Sequence, residues 1–176
     1  MVHVHIVRSG DTLTKIARQY NVSIERLVRE NNITNPDLIV IGQHINIPAQ
    51  DAMLRLVNQI RQQHGKHALT LNQKLMNAAY LHSKYMADHN VMTHHQSNRT
   101  LYGVGERVKY YQYHFAGVAE NVAYNYSDDI PSVVDQWVKS PRHFQNMLGD
   151  FAEMGHARCA KGDRIYWTQV FGKSFT

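Results

Sequence analysis

A chain of 176 residues can hold one domain or two modest ones, and 43% hydrophobic against 19% charged residues is globular composition, excluding a disordered chain. The net charge of +5 comes from scattered Lys and Arg without a basic run, so no nucleic-acid partner is expected, while an anionic polymer such as a cell wall suits the surface. Cys159 is the only cysteine, which excludes an intrachain disulfide, and no apolar run reaches transmembrane length.

The first fifty residues read as strand, helix, helix, strand. Val2, Val4 and Ile6 alternate with His3 and His5, a short half-exposed strand rather than the continuous apolar run of an export signal. On this reading the chain is cytosolic or a mature form. Asp11 or Thr12 caps a helix whose buried face is Leu13, Ile16, Ala17 and Tyr20. Asn21-Val22 turns the chain, and Ser23 caps a second helix with Ile24, Leu27 and Val28 inward. Pro36 makes Thr34–Asp37 a loop. His44–Ile47 alternates again and is closed by Pro48.

The residues Val7-x-Ser9-Gly10-Asp11-Thr12-Leu13, Ile16-Ala17, Tyr20-Asn21-Val22-Ser23, Leu27, Asn31, Asn35-Pro36, Ile41-Gly42-Gln43 and Ile47-Pro48 closely resemble a LysM module over residues 5 to 48. The resemblance implies a βααβ fold that binds N-acetylglucosamine polymers, either peptidoglycan or chitin. It also implies a shallow groove in which Gly10, Asp11, Thr12 and Leu13 face Pro36, Asp37, Leu38 and Ile39. Loop amides and carbonyls there can hydrogen-bond acetamido groups, and Leu38 or Ile39 can contact the methyl. Two positions depart from the common pattern, His5 where an aromatic is frequent and Thr14 where Trp, Tyr or Ser often stands.

Beyond Ala49-Gln50, Asp51 caps a helix carrying Leu54, Val57 and Ile60 that ends near Gly65. A longer helix from about Asn72 places Leu75, Ala78, Ala79, His82 and Met86 on one stripe, with His82 read as a hydrogen-bonded core histidine. Residues 97 to 117 read as a long loop with a turn of helix, fastened by the Tyr110–Tyr113 run. In Gly117–Ala123, small and apolar residues flank Glu120 and Asn121, and a carboxylate carried inward needs a partner. His94, His95 and His143 are the candidates. Pro131 sits in the first turn of a helix with Val133, Val134 and Trp137 inward, ended by Ser140-Pro141. Arg164–Phe171 is strand-like.

This half resembles the CAP superfamily (cysteine-rich secretory proteins, antigen 5, pathogenesis-related proteins), in its disulfide-free bacterial branch. The residues that carry the likeness are Asn58-x-x-Arg61-x-x-His64-Gly65, Leu69, Leu75, Ala79, His82, Met86, His94 and Ala119-Glu120-Asn121. They continue with Trp137-x-x-Ser140-Pro141-x-His143, Asn146, Leu148, Gly155 and Tyr166–Gly172. The resemblance implies an α–β–α sandwich, so the whole chain is expected to be α+β, with a LysM unit at 1–49 and a CAP unit at 51–176. Eukaryotic members of the family carry two His and two Glu in a large cleft able to hold a divalent metal. His94 and Glu120 match the first of each, whereas Ser140 and Tyr166 stand where the second Glu and second His would be. His143 is positioned to replace one lost group.

The tentative cleft residues are therefore His94, Glu120 and His143, as catalytic groups or as ligands of a divalent metal such as zinc. Without metal, Glu120 beside a histidine reads as a general base or as part of a structural network, and no activated Ser or Cys nucleophile is identified. Three functions stay open. One is a wall-binding protein whose CAP cleft takes a protein or small lipid ligand. Another is a hydrolase tethered to its substrate by the LysM unit, and a third is lipid or sterol carriage. The resemblance places the chain outside the cell, on the wall or spore surface.

Overall fold

The chain folds as two compact units, Met1–Asp51 and Ala52–Thr176. The computed structural model describes residues 3–20, 22, 24–47 and 51–175. The expected strand position of Val2, the turn at Asn21, the cap at Ser23, the closure at Pro48 and the Ala49-Gln50 junction lie outside them.

In the first unit, β1 (His3–Ile6) and β2 (His44–Ile47) pair antiparallel around α1 (Leu13–Tyr20) and α2 (Ile24–Asn31). Leu13, Ile16, Ala17, Leu27, Ile45 and Ile47 close one core with Val7. The β1 alternation runs opposite to hydropathy: Val4 and Ile6 are exposed, while His5 turns inward and places Nδ1 3.1 Å from the Tyr20 hydroxyl. Asn31 ties the second helix to the second strand, donating to the Leu27 and Asn46 carbonyls and accepting from the Asn46 amide.

The second unit contains α3 (Ala52–Gln63), β3 (Thr70–Leu71), α4 (Gln73–His89), a 3-10 turn at Arg99–Leu101 and α5 (Val104–Tyr110). After these come β4 (Phe115–Asn125), α6 (Ile130–Val138), α7 (Pro141–Met147), β5 (Glu153–Lys161) and β6 (Arg164–Ser174). The sheet order is β3-β5-β6-β4, parallel at β3–β5 and antiparallel elsewhere. One face carries α4 and α5 over Val122, Tyr166 and Val170; the other packs Trp167 and Phe171 against Met53, Trp137 and Met147 of α3, α6 and α7. The α+β reading and the α–β–α sandwich hold.

Several local features decide how close these layers come. Asn72 caps α4 through the Lys74 and Leu75 amides. Gly155 lets α4 press onto β5, since a Cβ there would collide with the Leu75–Met76 backbone. Arg61, fully buried, donates to the carbonyls of His67, Met147, Gly149 and Phe151 and so fixes the α7–β5 connection. The segment expected to be mostly loop is more ordered than its composition implies. Tyr113 donates to Glu153 Oε2 at 2.6 Å and fastens the end of α5 to the sheet, while Tyr110 is exposed.

Candidate functional site

Strand pleating sends Glu120 and Asn121 to opposite faces of β4. Asn121 turns to the α7 side, donating to the His143 carbonyl at 3.0 Å and accepting from Asn146 at 2.8 Å. Glu120 turns to the α4 side and is 7% exposed.

Both oxygens of Glu120 are engaged. His94 Nδ1 lies 3.0 Å from Oε1, and Arg107 Nη2 donates to Oε2 at 2.6 Å. An ionised carboxylate only accepts, so His94 donates to it from Nδ1. His82 Nε2 is also near, 3.7 Å from Oε1, but it donates to the Thr93 carbonyl at 2.7 Å while Gln96 donates to Nδ1. Burial lowers the His82 pKa to about 4, so the ring is neutral at neutral pH and Arg107 is the charge that matters. Burial alone would raise the Glu120 pKa. The hydrogen bond from His94, with His82 and Arg107, outweighs it and holds the carboxyl below its ordinary value.

These groups border a cleft of about 720 Å³ lined by His94, His95, Glu120, Arg142, His143 and Asn146, with Tyr102–Glu106 opposite. His95 stacks on Tyr102 with centroids 4.4 Å apart. His143 lines the cleft without a hydrogen bond to His94 or Glu120, and burial lowers its pKa, helped by His94 and Arg142. The structure thus joins His94 to Glu120 directly and brings His143 only into the same cavity. Ser140 begins α7 without a side-chain cap bond, and Tyr166 is buried, donating to Asn90 Oδ1 at 2.7 Å; neither lines the cleft.

A divalent metal does not fit the donor set. Glu120 is already committed to Arg107 and His94, and among the described residues no group of three or more His, Cys, Asp or Glu side chains is arranged to hold an ion.

Arg107 is the residue the sequence reading missed. It is fully buried, and its Nη1 also donates to the Leu101 and Tyr102 carbonyls. Val104, Arg107, Val108 and Tyr111 recur at helical spacing, a signal that would have turned Arg107 inward had the segment been read as helix.

In the first unit, Thr12 caps α1, accepting from the Lys15 amide at 3.2 Å. Asp11 instead accepts from the Arg8 amide at 2.8 Å and lies 2.9 Å from His5 Nε2. The Arg8 amide and then His5 hold its carboxyl below the ordinary range. Lys15 Nζ donates to the Gly10 carbonyl. Leu13 is a core side chain at 2% exposure, which leaves only its backbone for any ligand. Pro36, Asp37 and Leu38 are exposed and Ile39 is half-buried, with the Asp37 amide donating to Asn35 Oδ1.

The chain belongs to the cysteine-rich secretory protein (CAP) family, whose model matches residues 54–171, and carries a LysM domain at 5–48. The LysM domain implies binding of N-acetylglucosamine-containing glycan. Among relatives, the membrane protein YlbC of Bacillus subtilis is 32% identical over 130 residues, covering 73% of this chain and 36% of YlbC. The cortical fragment-lytic enzyme of Bacillus subtilis is 43% identical over 47 residues, 27% of this chain and 11% of that enzyme. An extracellular protein containing an SCP domain from Bacillus anthracis superposes with a TM-score of 0.62 at 25% identity, covering 76% of this chain and 47% of that one. This chain therefore spans well under two thirds of the length of each.

Proposed function

We propose that the protein resides at the cell wall or spore surface, where the LysM unit holds it on peptidoglycan or chitin and the CAP cleft binds a partner or ligand without turning it over. The observation that carries the non-catalytic half is the Glu120 carboxylate, closed by Arg107 at 2.6 Å and His94 at 3.0 Å. A general base works best with a pKa near the working pH and a lone pair free for the proton. Glu120 has a lowered pKa and no unengaged oxygen. Similarity to a cortical fragment-lytic enzyme over the LysM residues supports the glycan surface, and similarity to an extracellular SCP-domain protein supports the location.

The glycan is taken to lie between two loops of the first unit. On this reading the Gly10–Thr12 loop, braced by Asp11 and Lys15, forms one wall, and exposed Pro36, Asp37 and Leu38, with half-buried Ile39, are taken as the other. Sedimentation with insoluble peptidoglycan and with chitin tests this: the full chain is retained, and Leu38→Glu lowers retention. Release of labelled fragments from wall or casein by the parent chain, abolished in Glu120→Gln, would establish the hydrolase reading instead.

A further inference from the structure

The free edge of β4 opens into the CAP cleft. β4 is terminal in its sheet and, among the described residues, pairs only with β6. Its backbone direction is fixed by side chains on the far side: Asn146 donates to the Glu120 carbonyl at 3.2 Å and Trp137 Nε1 to the Val122 carbonyl at 3.1 Å. Both carbonyls point away from β6. Residues of an antiparallel strand alternate in direction, so Val118 turns its N–H and C=O the same way. Gly172, opposite Val118, agrees, since its carbonyl accepts from Ala152 on the β5 side. The Val118 N–H and C=O and the Glu120 N–H therefore lie on the free edge, with no hydrogen-bond partner among the described residues, and Val118 and Glu120 both line the cleft.

The two carboxylates of the cleft differ: Glu120 is neutralised by Arg107, whereas Glu106 stays exposed and charged on the Tyr102–Glu106 segment, its Oε2 accepting from the Gly103 amide at 3.0 Å. Arg142 stands exposed on the cleft wall with no carboxylate partner among the described residues, beside His143, His94 and His95. An unpaired edge adds an extended peptide as a further strand through main-chain bonds, and a nearby Arg selects a carboxylate on it.

We infer that the cleft holds an extended, acidic segment of a partner protein, which adds to β4 at Val118 and Glu120 and places a carboxylate on Arg142. This rests on the reading of the CAP cleft as a binding site and names what it binds. The added strand is short, because Asn146 already occupies the Glu120 carbonyl and ends the open edge there. A wall stem peptide also offers carboxylates, but its mixed chirality breaks the register that a strand requires, so a protein segment is the better match.

The test is a titration of the full ¹⁵N-labelled chain with the acetylated, amidated peptide Val-Glu-Val-Glu-Val. Saturable shifts and slowed exchange are expected at the Val118 and Glu120 amides. Arg142→Gln, an exposed substitution, weakens binding about tenfold, as does replacing the peptide's Glu by Gln. N-methylation of the peptide weakens binding at alternate residues only. Equal affinity for the Gln peptide, or equal effects of N-methylation at adjacent residues, overturns the proposal. A soluble muropeptide that shifts His94 and His143 while the acidic peptide leaves Val118 and Glu120 unmoved also overturns it, yet leaves the cleft's binding role standing. If neither ligand moves the cleft, both readings fall.

Discussion

Arg107 Nη2 donates to Glu120 Oε2 at 2.6 Å, and both side chains are almost wholly withdrawn from water. Removing one member of such a pair leaves a buried charge unmet, which costs about 3–5 kcal/mol. Arg107→Met is expected to lose that much in urea denaturation. Arg107→Met with Glu120→Met should recover most of it, because two apolar side chains need no partner. A double variant no more stable than the single one would mean that the pair is not the source of the loss.

The neutral His82 beside this pair gives the second unit an acid sensitivity. Its folded pKa lies near 4 against an ordinary 6.5, so the unfolded chain takes up the proton first as pH falls. Stability contributed by His82 is complete above pH 6.5 and is lost towards pH 4, amounting to roughly 3 kcal/mol. The lowered pKa of Glu120 acts in the same direction, at lower pH, since folding there favours the ionised form. Thermal melts of the parent chain from pH 7 to 4.5 should show a steep fall. His82→Gln should show a shallower one whatever its absolute stability.

How much of this site was legible in the sequence follows from which interactions are local. The α4 stripe fixed His82 as a core histidine by spacing alone, and the structure buries it completely. Glu120 stood out because apolar neighbours carry it inward. Its main counter-charge did not, because Arg107 lies in a segment whose Gly and Tyr content masked a two-turn helix. Strand β5 was missed as well: Gly155, His156 and Arg158 interrupt its apolar pattern, and its central place in the sheet depends on partners far along the chain. His5 shows the same limit, since pattern alone could not reveal that Tyr20 and Asp11 accommodate an inward imidazole.

Gly155 sets the separation of α4 from the sheet, and with it the reach of His82 towards Glu120. A methyl group there meets helix backbone rather than a movable side chain. Overpacking of this kind costs about 1–3 kcal/mol, with the upper end expected where backbone must shift. Gly155→Ala should therefore destabilise the second unit by about 3 kcal/mol in urea. The His82 and His94 ring signals should move with it in NMR spectra. Loss of stability without movement of those signals would locate the strain elsewhere.

Leu13 and Leu38 differ in burial, which separates stability from the proposed glycan contact in the LysM unit. Leu13 is 2% exposed and packs in the core with Ile16 and Ile45, whereas Leu38 is 68% exposed. Leu13→Ala removes buried methyl groups and is expected to cost about 2–5 kcal/mol, lowering glycan retention only as the unit unfolds. Leu38→Glu touches no core and should leave the melting curve within about 0.5 kcal/mol of the parent. If the proposed groove holds the glycan, it should still weaken retention on peptidoglycan and chitin, because a hydrated charge would replace the apolar contact proposed for the acetamido methyl. Paired melting and sedimentation curves for the two variants check this. Full retention by Leu38→Glu would move the glycan contact away from the Pro36–Ile39 loop.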